Sequence, residues 1–319
     1  MVSYRRLGRT GLMVSAISLG TVELGMNYGI PTAGEHLRPS EKQASHLLNH
    51  ALDMGVNFVD TARIYGESEA VIGRALKSRR EEYILATKVA LSNDASLTDR
   101  EIKRRTKESL AESLRTLQTD VVDLLQIHSA SVEVIRRGAI IQAIQEAQQE
   151  GKVRFTGATT YGEEAALAVI EDGRYDCLQV AYNLLDRGLE TKVLPLAQHK
   201  DMGIVARSVL LRGVLTHRYT SVPPQLAELK TAIHQLSGLV GSEMMSLPEM
   251  AYRFVLAHPA VATALVGTAR LGELEEGLSF AGRGALPVEL IEHIRQIAVH
   301  DQSQLNPATW PPEEVWQAV

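Results

Sequence analysis

Alternation constrains this chain more than any other feature. Eight short β-rich runs, "AISLG", "VNFVD", "YILATK", "VVDLLQIH", "VRFTGAT", "CLQVAYN", "GIVARS" and "TALVGT", are separated by longer segments of helical period. That pattern argues for βαβ units and a parallel sheet, and eight is the strand number that closes a (β/α)8 barrel. Upstream, "YRRL" and "LMVSAI" flank the turn glycines of "GRTG" and predict a β-hairpin. Between "GIVARS" and "TALVGT" lies a longer stretch with "TSVPPQ" and at least two helical segments, and "LPVELIEHIRQIA" predicts a helix after the last strand. The expected fold class is α/β: a TIM barrel with an N-terminal β-hairpin and additional C-terminal helices. Capping boxes mark three helix starts, "SEKQ" at Ser40, "TDRE" at Thr98 and "SLPE" at Ser246, each pairing a hydroxyl with a later Glu or Gln.

Composition narrows the function classes. With 319 residues, 45% of them hydrophobic, the chain fits a single barrel domain over residues 1–319. Lys and Arg number 33 against 38 Asp and Glu, a formal charge of −5; with no dense basic run, nucleic acid is not an expected partner. Cys177 stands alone, so there is no disulfide frame or CxxC pair, and a reducing compartment, the cytoplasm, fits. No apolar run reaches the roughly 18 residues of a membrane span, so no membrane partner is expected. Arginines ahead of "LMVSAISLG" imitate an export signal, but Glu23 follows soon and no A-x-A-like cleavage site does; the hairpin is the better reading.

The strand runs end in polar or ionisable residues: Thr21, Asp60, Lys88, His128, Thr159, Asn183, Ser208 and Thr268. In a parallel barrel all strand C-termini open on one face, where loops build the active site. Asp60 in "VNFVDTARIYG" and Lys88 in "YILATK" are natural partners, because a buried charge is costly unless paired. If Tyr65 and His128 join them, the chemistry is specific. A neighbouring ammonium lets a phenol exchange a proton nearer neutrality than its ordinary value of about 10. Asp60 then holds Lys88, and His128 donates to a substrate oxygen. A tuned tyrosine with a second donor suits reduction of a carbonyl by hydride, which a cofactor must supply.

From "RRLGRTGLMVSAISLGT" to "LVGTARLGELEEGL" the chain resembles the aldo-keto reductase superfamily. The specific pieces are "GVNFVDTARIYG", "ILATKV" and "DLLQIH", which carry the family tetrad as Asp60, Tyr65, Lys88 and His128. The resemblance implies a (β/α)8 barrel binding NADP or NAD in an extended pose, with Tyr65 as general acid and a small carbonyl or sugar as substrate. It accounts for the missing G-x-G-x-x-G of a Rossmann enzyme. It further implies cofactor contacts from Thr21 and Asp60, a carboxamide clamp from Gln179, Thr159 and Thr160, and diphosphate contacts from Ser208, Leu210 and Arg212. Thr159 and Thr160 stand where the family usually shows Ser-Asn, and a hydroxyl offers less than an amide. Arg207 fills the slot of an aromatic on the nicotinamide ring; it can stack, or turn to a phosphate or acidic group.

"GTARLGELEEG" matches the segment that reads the adenosine 2′ position, with Gly267, Thr268, Arg270, Glu273, Glu276 and Gly277 as its contacts. Glu273 sits where phosphate-binding members carry basic or amide side chains; an acid there repels the extra phosphate, while Arg270 could reverse the effect. The choice between NADP and NAD stays open. Three other readings compete: an NAD-dependent aldose dehydrogenase, a nucleotide-binding regulatory protein like the potassium-channel β subunits, and a metal-dependent hydrolase using Asp60 and His128. The last lacks an H-x-H and enough strand-end ligands. His46 and His50 in "HLLNH" have metal-pair spacing but lie opposite the apolar face of Ala44, Leu47, Leu48 and Ala51, and read as a solvated helix face. No metal site is expected. Substrate choice is expected to lie in loops: 22–39 with Tyr28, the region after Arg212, and the tail with Trp310 and Trp316.

Overall fold

The computed structural model describes residues 2–30, 38–90, 96–241, 246–312, 315 and 316. The predicted hairpin forms from β1 (Tyr4–Arg6) and β2 (Met13–Ser15), paired antiparallel and joined through a short 3-10 turn at Gly8–Thr10. "LMVSAI" is not one strand: the chain leaves the hairpin at Ser15 and enters the barrel at Ile17. Eight parallel strands follow, β3 (Ile17–Gly20), β4 (Phe58–Asp60), β5 (Ile84–Val89), β6 (Val122–Ile127), β7 (Val153–Thr159), β8 (Cys177–Ala181), β9 (Gly203–Arg207) and β10 (Val261–Gly267). They close in sequence order, with β10 returning to pair with β3.

Helices pack around the barrel, their starts set by local chemistry. Ser40 and Thr98 form complete capping boxes with Gln43 and Glu101, opening helices Glu41–Asp53 and Asp99–Leu117. Ser246 accepts from the Glu249 amide, but the Glu249 carboxylate is buried and engaged by Arg253 at 3.0 Å and Arg283 at 2.6 Å. Ala44, Leu47, Leu48 and Ala51 are buried as their spacing requires, and His46 lies exposed on the far side. The stretch after β9 holds helices Ala227–Gly238 and Leu247–Ala257, and Val288–Gln296 is the expected helix beyond β10. In the tail, Trp310 and Trp316 are buried with ring centroids 5.3 Å apart, rather than standing as free loop aromatics. Residues 31–37 of the expected substrate loop lie outside the described residues.

The barrel interior is layered. Leu7 and Val14 of the hairpin pack with Phe58, Ile84, Ala86, Leu124, Cys177 and Val205, so the hairpin plugs one end. Side chains alternate along a strand. Two positions beyond Phe58, Ala86, Leu124 and Cys177, toward the strand C-termini, stand Asp60, Lys88, Gln126 and Gln179. The apolar floor thus gives way to a polar layer at the other end.

Candidate active site

The polar layer converges on one carboxylate. Asp60, at the end of β4, is 2% exposed. Its Oδ2 accepts from Lys88 Nζ at 2.5 Å, and its Oδ1 accepts from Gln126 Nε2 at 3.1 Å and Gln179 Nε2 at 2.9 Å. Lys88 is fully buried and donates also to the Thr61 carbonyl at 2.8 Å. Burial alone pulls its pKa down, but Asp60 and then Tyr65 outweigh it, and the net displacement is upward. The ammonium is therefore held charged. Its nitrogen lies 5.0 Å from the Tyr65 ring centroid.

Tyr65 and His128 meet edge to face, centroids 5.7 Å apart with an interplanar angle of 85°. Burial, then the charges of Lys88 and Arg207, push the imidazole down to about 3, so the ring is neutral near pH 7. All four expected tetrad residues are thus neighbours. Glycines set the loop that carries Tyr65. A Cβ at Gly25 would strike the Tyr65 carbonyl oxygen and the Ser68 amide, and one at Gly66 would strike Gly25. Gly66 also adopts φ +54°, a left-handed conformation that favours glycine. Beneath them, Ser68 donates to Thr21 and lies within 3.0 Å of the Thr61 hydroxyl, while Thr21 donates to the Asp60 carbonyl at 2.9 Å. Thr21 is fully buried, its hydroxyl committed to the strand end.

The expected cofactor positions line the same face. Gln179 is buried with its amide nitrogen on Asp60. Thr159 accepts from the Ser129 amide at 2.7 Å, and the buried Thr160 hydroxyl has no hydrogen-bond partner among the described residues. Arg207 donates to the Thr160 carbonyl at 3.0 Å and lies 4.3 Å over the Tyr161 ring. After β9, Ser208, Leu211 and Arg212 all have positive φ, 56°, 45° and 58°, a conformation costly for side chains larger than glycine and characteristic of functional sites. Asn183 holds that turn by donating to the Ser208 carbonyl at 3.1 Å, and Leu210 accepts from the Gly213 amide. Arg212 lies 5.3 Å over the Tyr28 ring, and its buried Nε lacks a partner among the described residues. Thr268 donates to Glu273 Oε2 at 2.5 Å, and Arg270 donates to Glu273 Oε1 at 3.1 Å. Gly277 is buried against Val266, while Gly267 and Glu276 are exposed.

Metal chemistry finds no support in this geometry. Asp60 already accepts from three donors, one a cation, and among the described residues no cluster of three or more His, Cys, Asp or Glu could hold an ion. His50 instead lies 3.3 Å from Glu275. The buried Cys177 thiol has its pKa pushed up by burial, which keeps it inert. No described helix is long and apolar enough to cross a membrane.

Residues 16–298 match the model of the aldo/keto reductase family. The chain belongs to that family. It is 30% identical to the aldo-keto reductase YhdN of Bacillus subtilis, over 86% of this chain and 87% of that protein. It is also 30% identical to an L-galactose dehydrogenase of Arabidopsis thaliana, over 87% and 88%. An aldo-keto reductase of Bacillus halodurans in its holo form superposes with a TM-score of 0.77 at 27% identity, covering 95% of this chain and all of that one. As an aldo-keto reductase the chain is an oxidoreductase of the carbonyl and alcohol type.

Sequence reasoning missed Gln126 and Tyr161. Gln126 had a signal: it lies on β6 two residues before His128, which directly follows the strand, and period-two alternation puts the two positions on one face. Gly157, its register partner on β7, leaves space for it, since a Cβ there would meet Gln126 Cγ at 3.0 Å.

Proposed function

We propose that this aldo-keto reductase moves hydride between a nicotinamide dinucleotide and a small aldehyde, ketone or sugar carbonyl, with Tyr65 as general acid and base. The observation that carries the reading is the buried, charged Lys88, held by Asp60 and set 5.0 Å from the Tyr65 ring. In reduction, Tyr65 gives its proton to the carbonyl oxygen, and the ammonium stabilises the negative charge left on the phenol oxygen. His128, neutral, directs a hydrogen bond to the same oxygen. General acid catalysis of this kind contributes about 10²–10⁴-fold. In the reverse direction Tyr65 takes the alcohol proton.

A dinucleotide suits the residues around the tetrad. Two buried polar atoms without partners among the described residues, Thr160 Oγ1 and Arg212 Nε, fall in the carboxamide and diphosphate segments; such atoms are costly unless a ligand or water satisfies them. Thr159, Thr160 and Gln179 would hold the carboxamide, Ser208, Leu210 and Arg212 the diphosphate, and residues 267–277 the adenosine. When bound, the dinucleotide supplies or receives the hydride. The Arabidopsis relative named as L-galactose dehydrogenase supports including aldose oxidation among the activities.

Titration with NADH and NADPH, followed by a screen of aldehydes, ketones and aldoses with the tighter binder, tests the reading. The expected result is saturable binding of at least one dinucleotide and turnover of at least one compound. Failure to bind either, or binding without any turnover, contradicts it.

A further inference from the structure

We propose that Glu23 and Glu273 together make the adenosine end of the cleft select the dinucleotide without a 2′-phosphate, NADH or NAD, and that Glu23 is the unrecognised half of this filter. The inference rests on the cofactor reading above and refines it.

Barrel closure creates the pair. β10 lies beside β3 with Gly267 in register with Gly20, so the loops leaving both strands run side by side. Glu23 sits on the short helix Val22–Gly25 after β3, and its Oε2 accepts from the backbone amide of Ala269, two residues beyond β10, at 3.1 Å. Helix Leu271–Ala281 starts just after Ala269 and carries Glu273 in its first turn. Amides leading into a helix N-terminus are donors that a phosphate would use. Here one of them already serves a carboxylate of the chain.

Charge points the same way. Burial first, then the proximity of Glu273, pushes the Glu23 carboxyl up to about 7, against the opposing pull of the Ala269 amide, Arg218 and Arg270. The two acids are thus close enough to resist each other's ionisation. A 2′-phosphate carrying about −1.5 to −2 charges would add negative charge beside Glu273 and compete for the Ala269 amide that Glu23 occupies. The two arginines do not answer it: Arg270 already donates to Glu273 at 3.1 Å, and the Arg218 charge acts on Glu23. Admitting the phosphate requires displacing Glu23 from its amide and drawing Arg270 off Glu273. A ribose hydroxyl needs neither, and can donate to a carboxylate.

The test is binding, read without turnover. Dissociation constants for NADH, NADPH, AMP and 2′-AMP are measured by calorimetry on the wild-type chain, on Glu273→Gln, and on the Glu23→Gln/Glu273→Gln double variant. The wild type is expected to favour NADH over NADPH, and AMP over 2′-AMP, by about tenfold or more, a difference near 1.4 kcal/mol. The double variant should lose most of that preference, chiefly by gaining affinity for the phosphorylated ligands, and Glu273→Gln alone should lose only part. A wild type that binds NADPH as tightly as NADH, or a double variant with an unchanged ratio, overturns the filter while leaving the cofactor reading intact. Binding of neither dinucleotide overturns both.

Discussion

Asp60 and Asp123 are both buried carboxylates on barrel strands, 2% and 3% exposed, yet they sit at opposite ends of the molecule. Asp123, near the start of β6, accepts from Arg80 at 2.7 Å, Arg154 at 2.5 Å and the Leu85 amide at 2.9 Å. Its partners reach solvent, with Arg154 51% exposed. Asp60 is matched just as fully, but its cationic partner is sealed from solvent and lies next to a phenol and a neutral imidazole. Burial and pairing alone therefore do not mark a site. Unmatched groups occur at both ends, Tyr175 ahead of β8 among them, but at the mouth they cluster: buried atoms on Gln126, His128, Thr160 and Arg212 have no partner among the described residues, and Ser208, Leu211 and Arg212 take left-handed backbone within one turn.

Substitution should split the two ends. The largest effect is expected from Lys88→Met, which leaves Asp60 buried without its cation at a cost of about 3–5 kcal/mol and removes the charge beside Tyr65. Denaturant titration should show the stability loss, and the folded fraction should have almost no turnover; near-normal turnover would mean that Lys88 only holds the fold together.

His128→Asn should come next, lowering kcat by about 10²-fold and altering acid stability in a defined direction. The folded imidazole resists protonation down to about 3, whereas the unfolded chain takes a proton near 6.5. Wild-type stability from this group is present above that unfolded value and is lost as pH falls toward 3. The stability gap between wild type and variant should shrink from pH 7 to pH 4. A gap independent of pH would show that His128 is solvated.

The smallest effect on activity is expected at the floor. Asp123→Asn should cost about 1–3 kcal/mol and leave kcat per folded molecule unchanged, because Arg80 and Arg154 turn to water. A selective fall in kcat would erase the distinction between the ends.

Much of this was legible beforehand, for physical reasons. The strand alternation fixed the barrel, and the rule that parallel strand ends share one face brought Asp60, Lys88 and His128 together across 68 positions of sequence. Period-two alternation would also have found Gln126, had it been applied backward from His128. Glu23 could not be found that way, because its meeting with Ala269 depends on β10 closing onto β3, a contact with no local signature. The same holds for the hairpin: its strands were readable, but its place as the barrel's plug depends on Leu7 and Val14 reaching Phe58 and Leu124.

The most direct test of the central claim, that Lys88 empowers Tyr65 as proton donor, is Tyr65→Phe measured beside wild type for dinucleotide affinity and for kcat. Unchanged affinity with kcat reduced by about 10²-fold or more is the predicted outcome. A variant that turns over as fast as wild type would contradict it.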